Sequence, residues 1–470
     1  MKMYKLLPLV AAVALTGCMS MAPSYERPVA PIAEQWPQGA AYDQAKLNQA
    51  ALPDWQSFYQ DERLRAVLSQ MLENNRDLRV ALLNVEKVRQ AYNIQRSEFL
   101  PHLAGIGEGR HQGTPSGLSA TGKDTVSHVY SANLAMASYE LDLFGRVKSL
   151  SDEALNQYLA TAQAQQAAQV TLIAETANLW LKLGADQSVL DFSNQQLNSQ
   201  KQSYAMSQAS YRVGAISLLE LNQAKTMLAS AQKSAIAAQR ALAQDKNALT
   251  LLVGADIDAK LLPQGVADIT LAGVLPQGAP SEVLLNRPDI KAAEYRLQAA
   301  NANIGAARAN FFPRIALIAS GGSAATELGN VFEAGTRVWS FAPSVSLPIF
   351  TGGANWASLQ VSKVKKEIAV AEYEKSIQTA FREVADALAT QGTIDEELKA
   401  QQSLAKATEQ AYRLAQEQYR LGATSFMTVL DSQRQFVSAQ TGLVMAQQAR
   451  ASSLVSLYKS LGGGVTTAEE

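Results

Sequence analysis

Three histidines and one cysteine are the whole supply of imidazole and thiol ligands in this 470-residue sequence: His102, His111, His128 and Cys18. Zinc sites use three or four such ligands, usually in short paired spacings, and a Cys–His nucleophile needs both groups in one place. The histidines fall in one segment, the cysteine sits near the amino terminus, and no paired spacing exists. Neither a metal centre nor a catalytic nucleophile is supported. Gly105-Ile106-Gly107-Glu108-Gly109 has the glycines of a phosphate loop, but the third is at the wrong offset and no helix follows, so it reads as a strand. The acid pairs Asp152-Glu153 and Glu396-Glu397 read as solvated helix faces. No enzymatic site and no cofactor is implied. Met427 and Asp431 are four apart and share one helix face.

The elements that would carry these residues are visible in the composition. Lys+Arg of 41 against Asp+Glu of 42 gives a net charge of −1 with no basic block, which argues against nucleic acid as a partner. Aromatics are only 7%, while Ala and Gln recur in long tracts, a composition suited to extended helix packing. No proline occurs from Ser116 to Leu262 or after Pro348, so two long stretches are free of the strongest helix breaker.

At the amino terminus Lys2 and Lys5 precede an apolar run from Leu6 to Leu15. Ten residues are too few to cross a bilayer as a helix, which takes about 20. Residues 1–17 therefore read as a cleavable export signal, with 18–60 as an extension ahead of the first repeat. Leu15-Thr16-Gly17-Cys18 resembles the lipobox of bacterial lipoproteins, which makes Cys18 the acylated first residue of the mature chain. In that lipoprotein class Met19, standing where Asp would retain the protein, implies sorting to the outer membrane.

The rest of the chain is a duplication. Tyr211-Arg212-Val213-Gly214-Ala215-Ile216-Ser217 returns 208 residues later as Tyr419-Arg420-Leu421-Gly422-Ala423-Thr424-Ser425. Gly145, Gly184, Gly214 and Gly254 reappear at the same displacement as Gly353, Gly392, Gly422 and Gly462. Upstream the displacement is 212, pairing Asp77 with Asp289 and Pro101 with Pro313. The boundaries are a first repeat at 61–254, a Pro-bearing linker at 255–286, a second repeat at 287–462 and a tail at 463–470.

Each repeat holds a long helical hairpin, at 146–252 with its turn at 214 and at 352–461 with its turn at 422. Val361, Val364, Ile368 and Ala371, then Tyr373, Ile377, Phe381, Val384 and Leu388, give a narrow helical stripe. Thr351 to Arg420 spans about 100 Å as a helix, with Gly392 as a place to bend. Gly214 and Gly422 supply the left-handed residue that reverses the chain.

Ahead of each hairpin the period changes to two. Trp339, Phe341, Val345, Leu347 and Ile349 alternate with Ser340, Ala342, Ser344 and Ser346, as Tyr130, Ala132, Leu134 and Met136 alternate with Ser131, Asn133, Ala135 and Ala137. This is the pattern of a membrane barrel strand. Strands are expected at about 102–113, 127–141, 314–323 and 337–350. Four strands cannot close a wall in lipid, because edge N–H and C=O groups would lack partners at several kcal/mol each. Closure takes at least eight, hence more than one chain.

The lipobox, Tyr25-Glu26-Arg27-Pro28, the helix starts at Asn74-Asn75-Arg76-Asp77 and Asn286-Arg287-Pro288-Asp289, Ser346-Leu347-Pro348-Ile349-Phe350 and the paired Tyr-Arg-x-Gly-Ala turns together resemble the outer membrane factor family. The resemblance covers essentially the whole mature chain and implies a mostly α fold with a transmembrane β portion. It implies a homotrimer with a twelve-stranded barrel in outer-membrane lipid and a long α-helical tunnel. It also implies partnership with a periplasmic adaptor protein and an inner-membrane resistance-nodulation-division pump. Carried over residue by residue, it places Arg212, Gly214, Ser217, Arg420, Gly422 and Ser425 at the adaptor contact. It places Met427 and Asp431 in a periplasmic gate, with Tyr419 as an aromatic latch and Glu220 as the corresponding acid of the first repeat. An arginine common in the family just before that tyrosine is Gln418 here. A protein-export channel shares this architecture, and a lipid-anchored coiled-coil scaffold without a pore is the alternative of another class.

Overall fold

The protein, seen in a computed structural model, is described over residues 20–42, 52–266, 271 and 284–463. The export signal, Cys18, most of the linker and the tail after residue 463 lie outside the described residues. Two compact units result, and each draws on both sequence repeats.

The first unit holds 20–29, 84–162 and 292–373. Its centre is an antiparallel sheet of β1 (Leu103–Thr114), β2 (Thr125–Leu141), β3 (Arg314–Ala325) and β4 (Arg337–Ser346), in that order. The two repeats meet in the middle, where Met136 of β2 pairs with Ala319 of β3 and Ala319 with Phe341 of β4. One face therefore carries Tyr130, Leu134, Met136, Trp339, Phe341 and Val345. The other carries Ser131, Asn133, Ser320, Ser340 and Ser344, with Ser320 and Ser340 hydroxyls 2.9 Å apart. A bulge between Met136 and Tyr139 restores the alternation below it.

The fourth strand is shorter than the alternation predicts. It ends at Ser346, which pairs with Arg314, the first residue of β3. Beyond that rung no partner backbone remains, and Pro348 has no N–H to donate. Leu347, Ile349 and Phe350 are thus exposed residues outside the ladder.

In the same unit the segment from Ser20 lies along α6 (Pro288–Ala309). Glu294, nearly buried, accepts from Tyr25 Oη at 3.0 Å and from Arg27 Nε at 2.8 Å. Asn301 donates to the Pro23 carbonyl and Arg308 to that of Met21.

The second unit holds 30–42, 52–83, 163–266, 271, 284–291 and 374–463 and is helical. It contains α1 (Trp55–Phe58), α2 (Glu62–Asn74), α5 (Leu218–Val253) and α8 (Phe426–Ser460). It shares α3 (Arg76–Ser97), α4 (Arg146–Arg212), α6 and α7 (Ala354–Arg420) with the first unit. The duplication is exact in length for α4 and α7, 67 residues each, and α7 runs unbroken through Gly392. Ile377, Val384 and Leu388 are buried, as the helical stripe predicts, while Phe381 is only half-buried and its neighbour Ala380 is in the core. Val361, Val364 and Ile368, on the part of α7 in the first unit, are half exposed among the described residues.

The ends of the hairpins are tied to the helix starts in both repeats. Asn75 donates to the Leu252 carbonyl at 2.6 Å and caps α3 by accepting from Leu78 N at 2.7 Å. At the matching place Arg287 donates to the Ser460 carbonyl at 2.6 Å and holds Asp289 and Glu383 at 2.8 and 2.9 Å. Arg287 is buried, but both carboxylates are 42% exposed, so most of its worth is the buried carbonyl bond. Arg287→Met is expected to cost about 2 kcal/mol, read as a lower denaturant midpoint of the detergent-solubilised protein.

Candidate functional site

The two hairpin turns form by one device. Gly214 has φ +77° and Gly422 φ +72°, the left-handed conformation that ends α4 and α7. Ala215 N donates to Ser210 O at 2.9 Å and Ala423 N to Gln418 O at 2.8 Å, satisfying the orphan carbonyls of each helix end. Arg212 and Arg420 are the last residues of α4 and α7, both exposed; Arg420 pairs with Glu417 at 2.8 Å.

The return helices start differently. Ser217 Oγ accepts from Glu220 N at 3.2 Å while the Glu220 carboxylate accepts from Ser217 N at 2.9 Å, a reciprocal capping box. Ser425 makes no such bond, because the position three residues on is Thr428, whose hydroxyl lies 3.3 Å away. The displacement of 208 carries Glu220 to Thr428 and Gln223 to Asp431. Gln223, not Glu220, is therefore the counterpart of Asp431, and the Glu220 carboxylate serves its own helix start.

Around the turns the second unit brings several of the singled-out side chains together. Gln223 Nε2 donates to Met427 Sδ at 3.3 Å, joining the starts of α5 and α8. Tyr419 packs on Phe426 with ring centroids 5.2 Å apart, against a buried cluster of Tyr412, Val429 and Phe436. Burial, and then the negative charge of Glu220, push the Tyr419 hydroxyl above its usual range, so it stays a neutral donor. Asp431 is exposed one turn along from Met427, accepting from Gln435 at 3.0 Å with Arg434 at 3.6 Å. Gln223, Phe426 and Arg434 were not among the expected site residues; the 208 displacement applied to Asp431 points to the first of them.

In the first unit, the polar face of the sheet carries Ser131, Asn133, Ser320, Ser340 and Ser344. Glu140 at its foot binds Arg146 at 2.7 Å and Arg314 at 2.5 Å. Among the described residues no helix is long and apolar enough to cross a membrane. The strands, at 10 to 17 residues, are long enough to do so. No group of three or more His, Cys, Asp or Glu converges to hold a metal ion among the described residues.

This arrangement of a duplicated helix–sheet–hairpin plan matches a known family model, described as outer membrane efflux protein, over residues 67–255 and 279–463. The chain belongs to the outer membrane efflux protein family. It is 44% identical over 457 residues to the toluene efflux pump outer membrane protein TtgC of Pseudomonas putida, covering 97% of this chain and 94% of that one. It is equally similar, with the same coverage, to the antibiotic efflux pump outer membrane protein ArpC of Pseudomonas putida. The open-state crystal structure of the Neisseria gonorrhoeae outer membrane channel MtrE superposes with a TM-score of 0.84 at 37% identity, covering 95% of this chain and 99% of that one. As a member of this efflux family the protein is an outer-membrane channel component, and its four-stranded sheet is the membrane portion of that fold.

Proposed function

We propose that three copies of this chain pool their sheets into one twelve-stranded barrel. That barrel opens into a helical tunnel, the exit duct of a tripartite multidrug efflux system. The observation that carries the reading is the open sheet. β1 and β4 are edges, the face bearing Trp339 and Phe341 is apolar and exposed, and no lipid-facing edge can stay unpaired. The half-exposed Val361, Val364 and Ile368 row on α7 supplies apolar surface for a neighbouring copy.

The duct is passive: solutes move through water between the polar strand faces, and an inner-membrane resistance-nodulation-division pump supplies the energy. The names of TtgC and ArpC, toluene and antibiotic efflux proteins, support small, largely apolar cargo. Arg212, Gly214, Ser217, Arg420, Gly422 and Ser425 meet the periplasmic adaptor at the turns. Tyr419, Met427, Asp431 and Glu220 narrow the tunnel just inside them, with Gln223 at the first repeat's match to Asp431. Cys18 carries the lipid anchor. Ser20, two residues on, is held against Ser149 at 2.9 Å in the unit that bears the sheet, which suits an anchor at the membrane.

Mass measurement of the detergent-extracted protein is expected to give three chains per particle, and planar bilayers to show discrete conductance steps. A monomer, or a bilayer that stays silent as a scaffold would leave it, would overturn the proposal.

A further inference from the structure

The β1–β2 hairpin holds a pair of imidazoles that conduction does not use. His111 and His128 are direct cross-strand partners, three rungs in from the Thr114–Thr125 pair that closes the ladder. Their Nδ1 atoms are 2.5 Å apart and their rings 4.8 Å apart at 69°. At that separation only one Nδ1 carries the shared proton, and the other offers its lone pair to it.

The pair is held in place by its neighbour on the same face. Tyr130 stands opposite Gly109, and a Cβ added to that glycine would lie 3.2 Å from the Tyr130 ring, so the ring rests over bare backbone. From there it meets His111 edge-on, with centroids 5.4 Å apart. A Cβ at position 109 would push the ring by a few tenths of an ångström. On the other side the loop is tied by Ser116 N to Asp124 Oδ1 at 2.6 Å, which occupies the nearest carboxylate on that loop. Glu108 and Arg110 point to the opposite face of the strand and pair with each other at 3.6 Å. No charge on the histidines' own rungs competes for them.

We propose that His111 and His128 form a two-imidazole chelate for a divalent transition-metal ion of the copper, nickel or zinc type, with water in the remaining positions. Two nitrogens each about 2.0–2.1 Å from a tetrahedral ion are about 3.3 Å apart, so the rings need to open by less than an ångström. Both neutral rings then coordinate through Nδ1. The donor ring moves its proton to Nε2, and no net proton is released. Neutral imidazole is a preferred ligand for all three ions, and copper(II) is the tightest binder in the first-row order. The bound ion would staple β1 to β2 at the loop end of the hairpin.

The test uses the full-length protein in detergent with copper(II) added below one equivalent per chain. Electron paramagnetic resonance is expected to show coordination by two nitrogens, and zinc, the weaker binder, is expected to displace the copper only in large excess. His111→Gln and His128→Gln, which keep a polar side chain on the hairpin, are each expected to reduce the spectrum to one nitrogen. Each should also weaken binding by more than the 10- to 100-fold, roughly, that losing an outer-shell partner costs. His102→Gln serves as the control, since that ring instead contacts the Ser97 carbonyl at 3.2 Å, and it should leave binding unchanged. A wild-type spectrum of one nitrogen, or equal affinity in wild type and both glutamine variants, overturns the site. Circular dichroism matched to wild type shows that each variant has folded.

Discussion

Reversing both turn arginines, Arg212→Glu with Arg420→Glu, is expected to return a drug-resistant cell to the susceptibility of one lacking the channel. The channel itself should remain folded. Both side chains are exposed, and the one ion pair lost, Arg420 with Glu417, is a surface contact worth about 0–1 kcal/mol. The turns are built by Gly214 and Gly422 and by backbone bonds from Ala215 and Ala423, none of which the arginines supply. A partner surface shaped for two cations would instead meet two carboxylates. Each such like-charge contact costs several kcal/mol, which corresponds to a loss of affinity on the order of 100-fold or more. The direct measurement is binding of the purified adaptor to wild-type and doubly reversed channel at physiological salt, alongside bilayer conductance. Unchanged adaptor affinity in the reversed channel would remove these residues from the contact.

Replacing Asp431 by Ala is expected to widen the tunnel mouth and weaken its preference for cations. Three carboxylates about 5 Å from a passing cation contribute about 2 kcal/mol in water, reduced to about 1 kcal/mol by salt screening, so cation over anion selectivity should fall about fivefold. Single-channel conductance should rise, and antibiotics excluded by the wild-type channel should leak inward. The substitution is mild for the fold, because Asp431 is exposed and its partners Gln435 and Arg434 lie on its own helix. Arg434 provides the opposing control. At 3.6 Å it offsets part of the Asp431 charge, so Arg434→Ala should move selectivity toward cations while Asp431→Ala moves it away. Reversal potentials that shift in neither variant would place Asp431 outside the conducting path.

Much of this protein is legible in its sequence because its information is local and repeated. A period of 3.6 marks α4 and α7, a period of two marks the strands, and a glycine matched at a displacement of 208 marks each turn. Alternation runs past the end of β4 through Leu347 and Ile349, whereas a strand lasts only as long as it has a partner, and β3 begins at Arg314. Glu220 shows the same pull of local bonding. A serine followed three residues later by a glutamate is itself the signature of a capping box, and that local bond claims the carboxylate.

The sequence by itself determined the duplication, the strand count and the long hairpins with their glycine turns. Each of these is written in residues near one another or at a constant spacing. Only the tertiary structure decided that the two repeats merge instead of folding apart. β2 of the first pairs with β3 of the second at Met136 and Ala319, and Asn75 and Arg287 fasten each hairpin end to a helix start. Those bonds join residues more than 170 positions apart. No periodicity reaches that far, because such partners are selected by which buried donors, acceptors and strand edges the whole chain leaves to be satisfied.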